Sequence, residues 1–133
     1  MSFSDFLENE LLDHAFGPGA YTAPATLYVA LSTTTPTDAG ANFTEPTAMA
    51  YARVAVTNNA TQWPAASGGS KTNANAITFT TATGNWTTIT HFAIYDDPTA
   101  GNMLVWGALS APKAVNNGDT FRFNASALTI TLD

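Results

Sequence analysis

Residues Trp86 to Ser110 read WTTITHFAIYDDPTAGNMLVWGALS. Two runs rich in Thr, Ile, Val and aromatic residues flank DDPTAGN. β-Branched and aromatic side chains fit a pleated, half-buried surface, whereas Asp, Pro and Gly close tight turns. The stretch therefore predicts two long strands joined by a hairpin connection. The same period-two alternation recurs on both sides. TLYVALST sets Leu27, Val29 and Leu31 against Tyr28, Ala30 and Ser32, and YARVAVTN sets Val54 and Val56 against Tyr51, Arg53 and Ala55. AITFTTA, DTFRFN and ALTITLD continue it, with Leu128, Ile130 and Leu132 opposite Thr129 and Thr131. TTTPTDAGANFTEPT, NNATQWPAASGGSKTNAN and NNGD interrupt these runs. KAVNNGDTF is expected as a second hairpin connection, because Asn117-Gly118 suits a turn with positive φ. The expected fold is all-β: an antiparallel β-sandwich or small barrel, jelly-roll-like, of about seven strands.

The first residues break this pattern. In MSFSDFLENELLDHAFG, Phe3, Phe6, Leu7, Leu11 and Ala15 recur at helical spacing, and Leu12 and Phe16 widen the stripe. Ser2 and Asp5 match a capping box, and Asp5 and Glu8 lie near the positive end of the helix dipole. Gly17-Pro18-Gly19 stops the segment. One short amphipathic helix is expected, from about Ser4 to Phe16. The chain divides into this helix and its stop (1–19) and a β region (20–133) within one domain (1–133). The helix is expected either as a lid on the sandwich or as a docking element, the lid being favoured.

A chain of 133 residues can bury a sizeable core without metal or disulfide. It contains no cysteine, which excludes thiol catalysis and Cys-ligated zinc. Charged residues make up only 11%, about half the usual share, and the net charge is -6. Phosphate would be repelled, so neither direct nucleic-acid binding nor an anionic membrane is expected. No targeting signal and no run long enough to cross a bilayer is read in the chain. Neutral Thr, Ser, Asn and Ala must cover the surface. Such a surface suits a subunit packed against copies and neighbours, because burying neutral groups avoids the desolvation of ions. The two long loops, 33–50 and 58–75, are accordingly expected to be ordered by neighbours.

Candidate reaction centres are few. His14 falls in the last helical turn, where the dipole favours a cation, and His91 sits in a strand pattern as a core or interface residue. No G-x-S-x-G elbow accompanies the many serines. Asp96-Asp97 precedes Pro98 in the turn and reads as solvated turn acids. Asp38, Asn42 and Glu45 could contribute oxygens to calcium but lack the EF-hand spacing. Asn42, Asn59, Asn85 and Asn124 begin sequons that arise by chance in so Asn- and Thr-rich a chain. Trp63, Trp86, Trp106, Tyr51 and Tyr95 could form a sugar platform. Trp86 and Trp106 are expected in the core, and Trp63, in the loop TQWPAAS, as the exposed anchor. No catalytic residue, metal or cofactor is expected, and the protein is read as no enzyme.

SFSDFLENELLDHAFG, YTAPATLYVALSTTTPTDAG, YARVAVTNNATQWPAASGGSK, ITFTTATGNWTTITHFAIYDD and GALSAPKAVNNGDTFRFNASALTITLD together resemble a family of small virion proteins of tailed bacteriophages and prophages. Members are commonly labelled tail fibre protein, and the resemblance covers nearly the whole chain. Small β-rich phage proteins of this size also resemble capsid cement, or decoration, proteins, which sit as trimers on the head and clamp adjacent major capsid subunits. The resemblance implies a structural protein in the virion, assembled in the host cytoplasm. Its implied partners are copies of itself, possibly as a trimer, and a major capsid or tail protein. The favoured expectation is cement on the head, and the alternative is a tail-associated adhesin for host glycan. Phe3, Phe6, Leu7, Leu11, Phe43 and Trp63 are the expected partner-binding residues.

Overall fold

The computed structural model describes residues 1–132. In chain order its elements are β1 (Ser2–Phe3), α1 (Asp5–Phe16), β2 (Thr26–Ser32), β3 (Val54–Thr57), β4 (Ser70–Thr72), β5 (Ile77–Thr78), β6 (Thr87–Tyr95), β7 (Met103–Val115), β8 (Arg122–Phe123) and β9 (Thr129–Thr131). The expected hairpin forms: β6 and β7 pair from Thr87↔Val115 to Tyr95↔Met103. Around it runs an antiparallel five-stranded sheet in the order β1-β7-β6-β2-β3, accompanied by the two-stranded ribbons β4-β9 and β5-β8. The arrangement is all-β and sandwich-like, and its sheets do not close into a barrel. It has nine strands rather than about seven, because ribbon strands and β1 are only two or three residues long. Between Ile89 and His91 the ladder skips from Lys113 to Ala108. The bulge takes up Pro112, which has no N–H to donate to a ladder.

The core lies between sheet and ribbons. Val29, Leu31, Ile89, Phe92, Ile94 and Leu104 from the sheet meet Phe79, Phe121, Phe123 and Leu128. The rings of Phe121 and Phe123 meet edge to face at 5.1 Å, as do those of Phe92 and Phe123 at 5.6 Å. Asn73, fully buried, pins the ribbon segments: its amide donates to the carbonyls of Asn75 and Asn124 and accepts from the N–H of Leu128, all at 2.9 Å.

Three expectations are corrected. The long loops are ordered by their own domain. The 33–50 loop covers the second face of the sheet, where Phe43 and Trp106 pack around Ala30, Ala93, Tyr95 and Met103. It is tied to β2 by Thr44 N–H to Ser32 Oγ at 3.0 Å and held to itself by Thr33 N–H to Thr44 O at 3.0 Å and Thr34 Oγ1 to Asn42 O at 2.6 Å. Asn117-Gly118 does turn, with Gly118 at φ 88°, yet β8 pairs with β5 and not with β7. The turn therefore passes the chain between layers. Finally, the helix cap is Ser4, whose hydroxyl accepts from Leu7 N–H at 3.3 Å and donates to the carbonyl of Met103. Ser2 belongs instead to β1, where Phe3 pairs with Val105.

Candidate functional site

The densest polar cluster surrounds Arg53, just before β3. Its guanidinium forks onto Glu45, with Nη2 to Oε2 at 2.9 Å and Nε to Oε1 at 3.1 Å. It also donates through Nη1 to the carbonyls of Asp97 and Ala100, both at 2.9 Å, and lies 3.7 Å above the Tyr95 ring. The Arg53 side chain is only 6% exposed and that of Glu45 25%. The Tyr51 hydroxyl donates to Glu45 Oε1 at 2.7 Å and accepts from Leu31 N–H at 2.9 Å. Burial drives the Tyr51 pKa far above the ordinary range, reinforced by the Glu45 charge and opposed by Leu31 and Arg53. One cation thus ties the 33–50 loop, the edge of the sheet and the β6-β7 turn together. The polar side-chain atoms of Arg53, Glu45 and Tyr51 all have protein partners suited to holding shape.

The other sequence candidates are dispersed. Asp97 Oδ1 accepts from the N–H groups of Thr99 (2.9 Å) and Ala100 (2.7 Å), which lowers its pKa. Asp96 binds Asn102 N–H at 2.6 Å, so both acids brace the turn. Asp38 accepts from the Trp106 indole at 2.9 Å, Asn42 donates to Thr35 O, and Glu45 faces Arg53. These three do not converge on a common point, and among the described residues no group of three or more acidic or His side chains is placed to hold a metal ion. His14 Nδ1 accepts from Tyr21 N–H at 3.2 Å, tethering the segment after the helix. His91 is half-buried beside Trp106, and burial lowers its pKa.

The aromatic platform is overturned. Trp63 is only 3% exposed and belongs to the main core, where its indole N–H has no partner. Trp86 is buried as well, donating to Met49 O at 2.8 Å with its ring edge-on to Tyr51. Trp106, expected in the core, is half-buried on the second face of the sheet. Trp63 thus presents no ring to a sugar or a partner. Its four-residue neighbourhood in the loop gave a polar context, and only the tertiary fold wraps the 58–76 segment over it.

The helix supplies the remaining candidate surface. Phe3, Phe6 and Leu7 pack, half-buried, against the domain's own core, as a lid would. Leu11 is half-buried between helix and β region, and Phe43 lies edge-on to Tyr95 at 5.5 Å. No residue of α1 is fully buried. Its C-terminal half leaves Phe16 87% exposed and Leu12 58% exposed, beside Leu132 at 62%. Together with Phe3, Leu11 and Ala15 they line a groove of about 440 Å³. Leu12, Phe16 and Leu132 were absent from the expected partner set. The width of the apolar stripe, beyond what one packed face needs, was the signal that could have found Leu12 and Phe16.

Residues 2–131 match the family model described as "Podophage GP4 fiber I protein gp80". No curated protein matches the chain.

Proposed function

The chain belongs to the podophage GP4 fiber I protein gp80 family, a fibre-type structural family of phage virions, and from that premise we propose that it is a non-enzymatic subunit of a phage fibre that packs against copies of itself through α1. The family match over residues 2–131 carries the fibre assignment. Support for self-packing comes from the exposed Leu12, Phe16 and Leu132, a cluster that water disfavours and that a neighbouring subunit would cover. Charge favours a copy as that neighbour. Asp5, Glu8, Glu10 and Asp13 line the helix, while Lys71, Lys113 and Arg122 stand on β4, β7 and β8, outside any ion pair among the described residues. A structural role accords with the Arg53 cluster, whose ionisable groups are engaged in bracing a loop.

The test is sedimentation velocity over a range of concentrations with the wild type and Leu12→Asp/Phe16→Asp. Reversible association is expected for the first and a monomer for the second, with unchanged circular dichroism. Equal association of the two would refute the α1 contact. Gold-labelled antibody on intact virions places the protein: label on fibres agrees with the proposal. Label spread over the head would instead favour the cement role, which shares the neutral surface but draws no support from the family description.

A further inference from the structure

The acids of α1 call for cations opposite them, and the chain gathers two of its four cations in one place. Lys113 of β7 and Arg122 of β8 line a groove of about 250 Å³ whose buried wall is Phe92, Phe121, Phe123 and Leu128. We infer that this groove receives α1 of a second copy, so that subunits join head to tail. The inference rests on the proposed α1 contact and names its other half.

The bulge in β7 makes the groove. Between Ala108 and Lys113 the chain leaves its ladder with β6, and the groove runs between this bulge and β8. Half-buried Leu109 and exposed Ala127 extend the apolar wall toward the surface. Lys113 Nζ stands 5.5 Å over the Phe121 ring, and Arg122 Nε donates to Asn124 Oδ1 at 3.0 Å. Neither cation meets a carboxylate among the described residues. Both charges are thus held at the groove without being neutralised. An apolar wall between two placed cations suits a segment that carries apolar side chains and carboxylates together.

The helix is such a segment. Asp5, Glu8, Leu12 and Phe16 recur every three or four residues, which sets them along one face, and all four are exposed. No ion pair engages the acids of α1 among the described residues. The apolar groove beside α1 and the groove at Lys113 share no lining residue, so one subunit presents both. A net charge of -6 repels copies that meet like face to like face. Four of the ten acids lie on α1, however, and its approach to Lys113 and Arg122 brings unlike charges together. Charge therefore selects this orientation, and burial of Leu12 and Phe16 supplies the affinity. A contact between two different patches is heterologous and repeats from subunit to subunit.

Two variants separate the halves of the contact. Leu12→Asp/Phe16→Asp keeps the groove and loses the helix anchors, and Lys113→Glu/Arg122→Glu does the reverse. Each alone should sediment as a monomer with unchanged circular dichroism, and their mixture should give a 1:1 heterodimer and nothing larger. Lys113→Ser/Arg122→Ser should weaken association of the otherwise wild-type chain by about tenfold. Lys71→Glu, which changes the net charge by the same amount, should leave it unchanged. Association of the groove variant at wild-type strength would overturn the inference and leave the α1 contact standing. Two monomers that form no heterodimer on mixing would overturn it as well. Association of the α1 variant at wild-type strength would refute the α1 contact and the inference with it. If polygalacturonate, and not the groove variant, shifts the Lys113 and Arg122 NMR signals of the α1 variant, the groove serves an anionic glycan and the inference falls.

Discussion

Arg53 holds three segments at once, so its loss is not the loss of one surface ion pair. Arg53→Ala would strand a partly buried Glu45 carboxylate and free the carbonyls of Asp97 and Ala100. Breaking a buried pair costs about 3–5 kcal/mol, and the exposure of Glu45 puts this case near the low end. Urea unfolding would check it. Arg53→Lys should recover only part of the loss, since an ammonium cannot fork onto a carboxylate or stack flat on Tyr95. Asp97 has a native pKa below its ordinary 3.8 because it accepts two backbone N–H bonds. Its contribution is thus fully present above the unfolded value and disappears as pH falls through the lower native one. An NMR titration should place the Asp97 midpoint below that of a free carboxylate, and Asp97→Asn should flatten the stability profile below about pH 4. Tyr51 is shifted in the opposite sense, and its hydroxyl should stay protonated through an alkaline titration until the protein unfolds. Ultraviolet absorbance would check this: Tyr51→Phe should leave the native alkaline titration unchanged and reduce only the absorbance step that accompanies unfolding.

At the scale of elements, α1 is held at one end and open at the other. Ser4 caps the helix and also binds the carbonyl of Met103 in β7, so the cap doubles as the joint between helix and sheet. Ser4→Ala should cost about 1–2 kcal/mol and raise amide exchange along α1 before the sheet responds. Asn73 plays a comparable part for the ribbons. Asn73→Ala would leave the Leu128 N–H without a partner and take one of two donors from each of the Asn75 and Asn124 carbonyls, at about 1–3 kcal/mol for the buried group that water cannot reach. Its unfolding midpoint should fall more than that of any exposed Asn→Ala, such as Asn85→Ala.

For the whole molecule, low charge and an exposed apolar cluster shape how it assembles. Apolar contacts are not screened by ions, whereas pairing of the α1 carboxylates with Lys71, Lys113 and Arg122 is, so self-association should weaken in part and not vanish as salt is raised. Sedimentation at low and high ionic strength would check this; complete dissociation by salt would show that ion pairs alone hold the contact.

Much of this was written in the chain itself. The strands around Trp86–Ser110, the helix ending at Gly17 and the buried alternation of Ile77 and Phe79 all follow from local sterics and periodicity, which act over a few residues. The family resemblance also lay in the linear order of side chains. Contacts between distant segments decided the rest. Trp63 sits in a polar loop by sequence yet in the core by fold, and the Asn117-Gly118 turn leads to β8, which pairs with β5 and not back onto β7. Arg53 finds Glu45 and the turn at Asp97 across 8 and 44 positions. Periodicity specifies which face of a strand is apolar. It does not specify which other strand meets that face, nor which apolar residues, like Phe16, are left with none.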